Sequence, residues 1–356
     1  MDLRPLLAPN DSKIVVILLD GLGGFADADG GTALERATTP NLDALAAEGS
    51  CGRAEIVGAG ITPGSGPGHL ALFGYDPTEF ALGRGALSAA GLDVELRAGD
   101  VAARGNLCTL NPDGTIKDRR AGRIASAKAL PLVERLQAEV ALDGVEVVLA
   151  HEREHRVLVM LRGEGLDPRV GDSDPQATGV PPHPFTPHDP AAQRTADLLT
   201  EFDRQAREIL RDADANTVLM RGFDTLEPMP SFAERYGLNA TSIAIYPMYR
   251  GISRILGMDV ERQAAEPAEQ VEILRECWDA HDYFFIHHKA TDAAGEDGDR
   301  EAKIAAIEEI DALIPAIREL GPDVVMVTGD HATPPQMRAH SWHPVPVLIW
   351  GGNTGR

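Results

Sequence analysis

Apolar runs of strand length recur along the chain. They are continuous rather than alternating, which is typical of strands buried on both faces of a sheet. The runs lie at residues 14–19, 217–220, 242–246, 283–286, 324–328 and 345–350. Helices are predicted between them, at residues 39–48, 191–211, 267–280 and 301–320. The pattern predicts an α/β fold, with a mostly parallel sheet flanked by helices.

The texture of the sequence changes between residues 98 and 190. There, β-like runs give way to a stretch rich in proline, aspartate and histidine at 172–190, which predicts a long ordered loop or a hinge. We therefore predict a core domain formed by residues 1–97 and 191–356, and an inserted smaller α/β cap domain formed by residues 98–190.

The composition narrows the classes of partner. Thirty-three basic against 55 acidic residues give a formal net charge of -22, which disfavours binding to nucleic acid or to an anionic membrane surface. The three cysteines form no C-x-x-C pair, and no apolar stretch reaches the ~18 residues of a membrane span. We expect a soluble, unprocessed cytoplasmic enzyme with a small-molecule substrate, and either a monomer or a homo-oligomer.

Polar residues with catalytic or metal-binding chemistry follow several of the predicted strands. Asp20 comes after the run 14–19, Lys289 after the run 283–286, and Asp330 with His331 after the run 324–328. Ligands collect at the carboxyl ends of strands in open α/β sheets. We therefore expect these side chains to share one site.

Two glycine-rich segments allow close approach of the backbone to a ligand. Asp20 precedes Gly21, Gly23 and Gly24, in a spacing that is not G-x-G-x-x-G and so does not indicate a dinucleotide site. Ser65 lies in the loop 63–68 just before a helix-like run, where backbone N–H groups favour an anion. The alternatives are an aspartate that caps a turn and a serine that caps a helix.

Histidines and carboxylates concentrate near the end of the chain. Asp330 and His331 can bind one divalent ion, and His340 and His343 follow them. Asp292 and Glu296 are four residues apart, so they share one face if their segment is helical. The alternatives are histidines with structural hydrogen bonds and a solvated acidic loop.

A set of arginines lies in or near the predicted insert of this acidic chain. Arginine binds carboxylates and phosphates through two parallel hydrogen bonds, so these side chains are candidates for holding an anionic substrate. Each of them can equally be a surface charge. The set consists of Arg84, Arg104, Arg119, Arg120, Arg123 and Arg156.

Taken together, several motifs occur in an order that resembles one family over nearly the full length of the chain. The motifs are Asp20-Gly21, Thr39-Pro40-Asn41-Leu42-Asp43, the Ser65 loop with Gly74-Tyr75-Asp76-Pro77, Lys289-Ala290-Thr291-Asp292, and Thr328-Gly329-Asp330-His331. The chain resembles the archaeal-type cofactor-independent phosphoglycerate mutases of the alkaline phosphatase superfamily. The resemblance implies an alkaline-phosphatase-like core with an inserted cap.

The resemblance also implies a site with two divalent metal ions, usually manganese, with magnesium, cobalt or zinc as alternatives. By matching motifs, Asp20, Ser65, Asp330 and His331 would surround one ion. Asp292 and His340 would bind the other, together with Glu296, which stands where archaeal members typically have a histidine. Ser65 would attack the phosphorus of 3-phosphoglycerate, and Lys289 would stabilise the transferred group.

Two other functions are compatible with the same residues. A phosphatase of the superfamily would use the same nucleophile and metals, but would pass the phosphoryl group to water. A non-catalytic metal or metabolite binder would have no need of Ser65. Family members usually continue beyond the position of Arg356, so a C-terminally shortened form is a further expectation.

Overall fold

The computed structural model describes residues 4–8, 10–28, 30–80, 82–92, 94–226 and 229–351, without the side chain of Arg84. Its strands are β1 Ile14–Leu19, β2 Ser50–Ala54, β3 Val101–Leu110, β4 Ile116–Asp118, β5 Glu146–Arg153, β6 Arg156–Arg162, β7 Thr217–Asp224, β8 Ala240–Ala244, β9 Asp259–Val260, β10 Tyr283–His288, β11 Val324–Thr328 and β12 Val345–Gly351. Its α-helices are α1 Ala33–Arg36, α2 Pro40–Glu48, α3 Ser65–Leu72, α4 Arg84–Gly91, α5 Ser126–Glu139, α6 Gln193–Ile209, α7 Phe232–Tyr236, α8 Pro247–Ile255, α9 Pro267–Cys277, α10 Ala290–Asp297, α11 Arg300–Asp311 and α12 Ile314–Arg318.

The chain divides into two compact units. The first unit comprises Met1–Ala81 and Met229–Arg356, and the second comprises Leu82–Pro228. Each unit has its own cluster of buried apolar side chains. The predicted α/β fold with a smaller second α/β unit is therefore confirmed.

The sheet of the first unit is mostly parallel, in the order β2-β12-β11-β1-β10-β8-β9. Strand β1 lies between β10 and β11 and is parallel to both, while β12 is antiparallel to β11 and β2. Five of the six residues of β1 are buried, as its continuous apolar sequence predicts. Because β1, β10 and β11 are parallel neighbours, their carboxyl ends lie at one edge of the sheet.

The predicted helices of the first unit form with small differences at their ends. Proline occupies the first position of α2 and of α9, where its missing N–H costs no hydrogen bond. The predicted helix 301–320 is wrong in one respect, because it divides into α11 and α12. Pro315 lies at the start of α12, where it could not continue the hydrogen bonding of a preceding helix.

The second unit contains an antiparallel sheet in the order β4-β3-β6-β5, and β7 pairs with β3. Helix α6 contributes Leu199, Phe202 and Ala206 to the core of this unit. This unit is therefore larger than the predicted insert 98–190. The run 217–220, predicted for the core sheet, belongs here instead, because strand length and apolar character do not identify the partner of a strand.

The segment 172–190 connects β6 to α6 as a long loop. It is anchored by Ser173 and Asp174, whose side chains are buried. Ser173 exchanges hydrogen bonds with Met220 of β7, which keeps the loop against the sheet. Across the described ranges, the helices are too short or too polar to cross a bilayer.

Candidate metal centre

The carboxyl ends of β1, β10 and β11 bring together the polar residues predicted there. Asp20 follows β1 directly, Lys289 follows β10, and Asp330 and His331 lie just beyond β11. Asp20, Asp330 and His331 are almost completely buried. Because the three parallel strands are neighbours, residues from opposite ends of the sequence come together at their carboxyl ends.

Three atoms of this cluster face one another without hydrogen-bond partners. His331 Nε2 lies 3.3 Å from Asp20 Oδ1 and 3.3 Å from Asp330 Oδ2. None of these three buried atoms has a hydrogen-bond partner among the described residues. Buried polar atoms are normally paired, and two carboxylate oxygens with one imidazole nitrogen are a common donor set for a divalent metal ion. The arrangement therefore fits a bound cation.

The hydroxyl of Thr333 fixes the tautomer of His331. Thr333 Oγ1 donates a hydrogen bond to Asp292 Oδ1 at 2.5 Å, and so it accepts from His331 Nδ1 at 3.0 Å. The Nδ1 atom then carries the proton, and the lone pair of Nε2 faces Asp20 and Asp330. Thr333 was not predicted from the sequence.

A second cluster lies beside the first. His340 Nε2 is 3.5 Å from Asp292 Oδ1 and 3.5 Å from Glu296 Oε1, and the ring of His340 stacks on that of His331. His340 Nδ1 donates to the carbonyl oxygen of Pro63 at 3.1 Å, which leaves Nε2 free to bind a cation. Asp292 and Glu296 share one face of α10, as their spacing predicts. The third histidine of this region, His343, packs against Trp342 and Phe25 instead.

Lys289 connects the two clusters. Its Nζ atom donates to Asp20 Oδ2 at 3.1 Å, to Asp292 Oδ2 at 2.5 Å and to the hydroxyl of Tyr249 at 3.0 Å. Burial opposes the charge of this ammonium group, but Asp20 and Asp292 outweigh it and raise its pKa. Lys289 therefore keeps its positive charge beside both candidate metal positions.

Ser65 is the first residue of α3, where backbone N–H groups point out of the helix. The helix packs directly on the loop after β11, because a Cβ atom on Gly68 would lie 2.8 Å from the carbonyl oxygen of Asp330. His69 donates from Nδ1 to the carbonyl oxygen of Ser65 at 2.8 Å and lies 3.3 Å from Asp330 Oδ2. The serine is thereby held next to the first cluster.

Three stacked rings support the centre and were missed by the sequence analysis. Tyr249 stacks on both His69 and His287, with ring centroids 4.5 Å and 3.7 Å away, and the two histidine rings lie 5.3 Å from each other. His287 donates from Nε2 to Asp20 Oδ2 at 3.1 Å. Burial, and then the charges of Asp20 and Asp330, raise the pKa of the Tyr249 hydroxyl. Successive side chains of a strand point to opposite faces of the sheet, so His287 and His288 of β10 are expected on opposite faces. This alternation is the one sequence signal that could have indicated the contacts of His287.

The two clusters carry more negative than positive charge, which favours the binding of divalent cations. Asp20, Asp292 and Asp330 bury their carboxylates within a few ångströms of one another, whereas Lys289 supplies one adjacent positive charge. Burial opposes ionisation of Asp330, but His331 and His69 outweigh it and lower its pKa. Burial lowers the pKa of His331 and favours its neutral, metal-binding form. Closely spaced ionised carboxylates and neutral histidines are the donor set that a divalent ion requires.

The second unit contains a cavity of about 340 Å³ rich in arginine. Of the predicted arginines, Arg119, Arg120, Arg123 and Arg156 line it. Arg153, Arg221, His155, Asn106 and Gln176 also line it and were not predicted. Burial, and then the charges of Arg156 and Arg120, lower the pKa of His155. A cavity with this charge favours an anionic ligand.

The remaining predicted arginines have other surroundings. Arg104 is absent from the described lining of the cavity, and its Nε atom lies 3.6 Å from Glu152. The side chain of Arg84 lies outside the described part of the chain. Arg119 lines the cavity but donates from Nε and Nη2 to the two carboxylate oxygens of Asp174, at 2.8 and 2.6 Å. Arg221 was missed because its strand, β7, was predicted for the other sheet.

Comparison with known proteins identifies relatives along nearly the whole chain. Residues 46–216 match the family model of 2,3-bisphosphoglycerate-independent phosphoglycerate mutase. A probable enzyme of that description from Deinococcus radiodurans is 48% identical, over 99% of this chain and 88% of its own length. Another from Thermus thermophilus is 47% identical, over 98% of this chain and 88% of its own length.

Two solved structures are similar to this chain over nearly its whole length. A cofactor-independent phosphoglycerate mutase from Thermoplasma acidophilum has a TM-score of 0.77 and 29% identity, covering 97% of this chain and 91% of that one. A protein from Pyrococcus horikoshii has a TM-score of 0.78 and 29% identity, covering 96% of this chain and 88% of that one. The chain therefore belongs to the family of 2,3-bisphosphoglycerate-independent phosphoglycerate mutases.

Proposed function

We propose that this chain interconverts 3-phosphoglycerate and 2-phosphoglycerate through a phosphoserine on Ser65, without free bisphosphoglycerate. The observation that carries the proposal is the convergence of three buried atoms, Asp20 Oδ1, Asp330 Oδ2 and His331 Nε2, beside the helix that begins at Ser65. None of the three has a hydrogen-bond partner in the part of the chain that the structure describes. The reaction belongs to glycolysis and gluconeogenesis. The similarity to solved archaeal structures supports an archaeal-type member, and the unpaired cysteines are consistent with the cytoplasm.

The metal ligands follow from the two clusters. Asp20, Ser65, Asp330 and His331 would hold one divalent ion, and Asp292, Glu296 and His340 would hold the other. The abundance of carboxylate ligands favours Mn²⁺ over softer ions. When bound, the ions would lower the pKa of the Ser65 hydroxyl and neutralise charge on the phosphoryl group.

In the first half of the reaction, the Ser65 hydroxyl gives up its proton and Oγ forms a bond to phosphorus. The bond between phosphorus and the 3-oxygen of the substrate breaks, and that oxygen takes up a proton. The N-terminus of α3 and the charge of Lys289 stabilise the negative oxygens of the transferred group. Phosphoserine and glycerate result.

In the second half, the 2-hydroxyl of glycerate loses its proton and attacks the phosphorus of phosphoserine. The bond to Ser65 Oγ breaks, and the serine regains its proton, so that atoms and charge balance over the cycle. The arginines of the second unit would bind the carboxylate of glycerate while its hydroxyls exchange positions. The cavity lined by Arg120, Arg123 and Arg156 supports this assignment through its charge.

The proposal is tested by incubating the Mn²⁺-loaded chain with 3-phosphoglycerate alone, while 2-phosphoglycerate and free phosphate are measured together. We expect 2-phosphoglycerate with little phosphate. Phosphate as the main product would indicate a phosphatase, and neither product would indicate a non-catalytic relative.

Replacement of the nucleophile provides the second arm of the test. We expect Ser65→Ala to reduce turnover on the order of 10⁴-fold or more, because no other group can form the covalent intermediate. Ser231→Ala is the matched control. Ser231 also lies at a helix start, where it caps α7, so its loss should cost about 1 kcal/mol of stability and leave turnover unchanged. Turnover that survives Ser65→Ala would contradict the mechanism.

A further inference from the structure

Lys303 on α11 is buried completely, which is unusual for a lysine. Its ammonium group donates to the carbonyl oxygens of Gly21 at 2.7 Å, Thr333 at 2.8 Å and Gly23 at 3.3 Å. An ammonium group has three N–H donors, so all of them are used. Burial of a charge is strongly unfavourable unless hydrogen bonds compensate it, and three carbonyl dipoles are the compensation here.

These carbonyl groups belong to the two loops that carry the first metal cluster. Gly21 and Gly23 follow Asp20, and Thr333 follows Asp330 and His331. The same loops are joined by the amide of Thr333, which donates to Gly21 and Gly23 at 3.2 and 3.1 Å. The amide of Gly21 donates to Asp330 Oδ1 at 3.1 Å. Lys303 therefore completes a hydrogen-bonded junction between the β1 loop and the β11 loop.

The junction has little room to rearrange. Gly21 has a φ of +65°, and a Cβ atom there would lie 2.5 Å from Thr333 Oγ1. Thr333 Oγ1 is the atom that orients both His331 and Asp292. A shift of the loop at Gly21 or Thr333 would consequently change the positions of ligand atoms in both clusters.

We propose that Lys303 is a positioning residue of the metal centre: it holds the β1 and β11 loops at the separation at which their ligands converge. This inference rests on the proposed two-metal function. The charge of Lys303 and its hydrogen bonds have opposite effects on metal binding. A nearby positive charge repels a divalent cation, so its removal would strengthen binding, whereas loss of the junction would misplace the ligands and weaken binding. We expect the second effect to dominate.

The test compares Lys303→Met with Lys303→Gln. Methionine keeps the length of the side chain without a donor, and glutamine is uncharged but keeps two N–H donors. We expect the Kd for Mn²⁺ to increase roughly 10–100-fold in Lys303→Met, the size typical for loss of a group that orients metal ligands, and by less in Lys303→Gln. Binding is measured by the EPR signal of free Mn²⁺. The KM for 3-phosphoglycerate at saturating Mn²⁺ should stay near the wild-type value.

Ile307→Ala is the matched control for general destabilisation. Ile307 lies one turn further along α11, is equally buried and packs in the apolar core. Its truncation should lower the melting temperature, because it leaves a cavity in the core, and should leave Mn²⁺ affinity unchanged below that temperature. An equal loss of affinity in this control would refute a specific role for Lys303, as would equal or tighter binding in the Lys303 variants.

Lys303→Gln keeps the proposal testable if Lys303→Met does not fold. A wild-type chain that binds no Mn²⁺ would instead refute the proposed metal centre itself. The two failures are thus distinguishable in one set of titrations.

Discussion

At the scale of single residues, the proposed metal centre depends on which nitrogen of each histidine is left free. The partners of Nδ1 are Thr333 Oγ1 for His331 and the carbonyl oxygen of Pro63 for His340. In both rings the bond at Nδ1 exposes the lone pair of Nε2 toward carboxylates. Groups outside the proposed ligand set therefore decide whether these histidines can bind an ion.

We predict that Thr333→Val lowers Mn²⁺ affinity about 10–100-fold, because valine has the shape of threonine but cannot orient His331 or Asp292. The measurement is a Mn²⁺ titration followed by EPR. Thr328→Val is the control: Thr328 is buried nearby in β11, but its hydroxyl donates to the carbonyl oxygen of Pro346 at 2.9 Å. The control should lose about 1 kcal/mol of stability and keep its affinity. Equal affinities of all three proteins would contradict the assigned tautomer.

At the scale of elements, the second unit depends on a close contact between α4 and β3. A Cβ atom on Gly85 of α4 would overlap the carbonyl oxygen of Ala102 in β3. Backbone atoms of a strand paired on both sides cannot move aside, since β3 is bonded to β6 and β7. The helix can lie on the sheet only because this position has no side chain.

We predict that Gly85→Ala destabilises the second unit by about 3 kcal/mol through overpacking. Trp278, Trp342 and Trp350 are the tryptophans of the chain, and all belong to the first unit. Tryptophan fluorescence therefore reports on the first unit, whereas far-UV circular dichroism reports on both units. Urea unfolding followed by circular dichroism should begin at lower urea in the variant. Gly52→Ala is the control, because a Cβ atom there meets nothing within 4 Å. A dichroism profile of Gly85→Ala that matches the control would disprove the contact.

At the scale of the whole molecule, buried histidines link folding to pH. Burial, and then the charge of His287, lower the pKa of His288 from 6.5 to about 4. As the pH falls from 6.5 toward 4, the unfolded chain binds a proton at this residue that the folded chain does not bind. Stability from this group is therefore fully present above pH 6.5 and is lost toward pH 4.

We predict that His288→Gln loses less stability than wild type between about pH 7 and pH 5. The difference should be roughly 2 kcal/mol at about pH 5, because only the wild type has this proton to take up on unfolding. The measurement is urea unfolding in the presence of a chelator, so that metal binding does not contribute to the pH dependence. Parallel pH profiles of the two proteins would contradict the lowered pKa, because they would show that His288 takes up its proton at the same pH in the folded and the unfolded chain.

The sequence by itself predicted the features that depend on neighbouring residues. Continuous apolar runs indicated buried strands such as β1, and the polar residues after three of these runs indicated the edge where Asp20, Lys289 and Asp330 lie. Motif order also indicated the family that the relatives show. These features could be read from the sequence because strand burial and the position of a strand end are local properties of the chain.

The tertiary structure decided the features that depend on pairing between distant segments. It assigned β7 to the second sheet, and with it brought Arg221 to the arginine cavity. It also brought Thr333 to His331 and Asp292, and Lys303 to the loops at Gly21 and Thr333. A strand's apolar character does not name its partner, and a lone threonine or lysine carries no spacing signal. Such roles arise only from the contacts that packing creates.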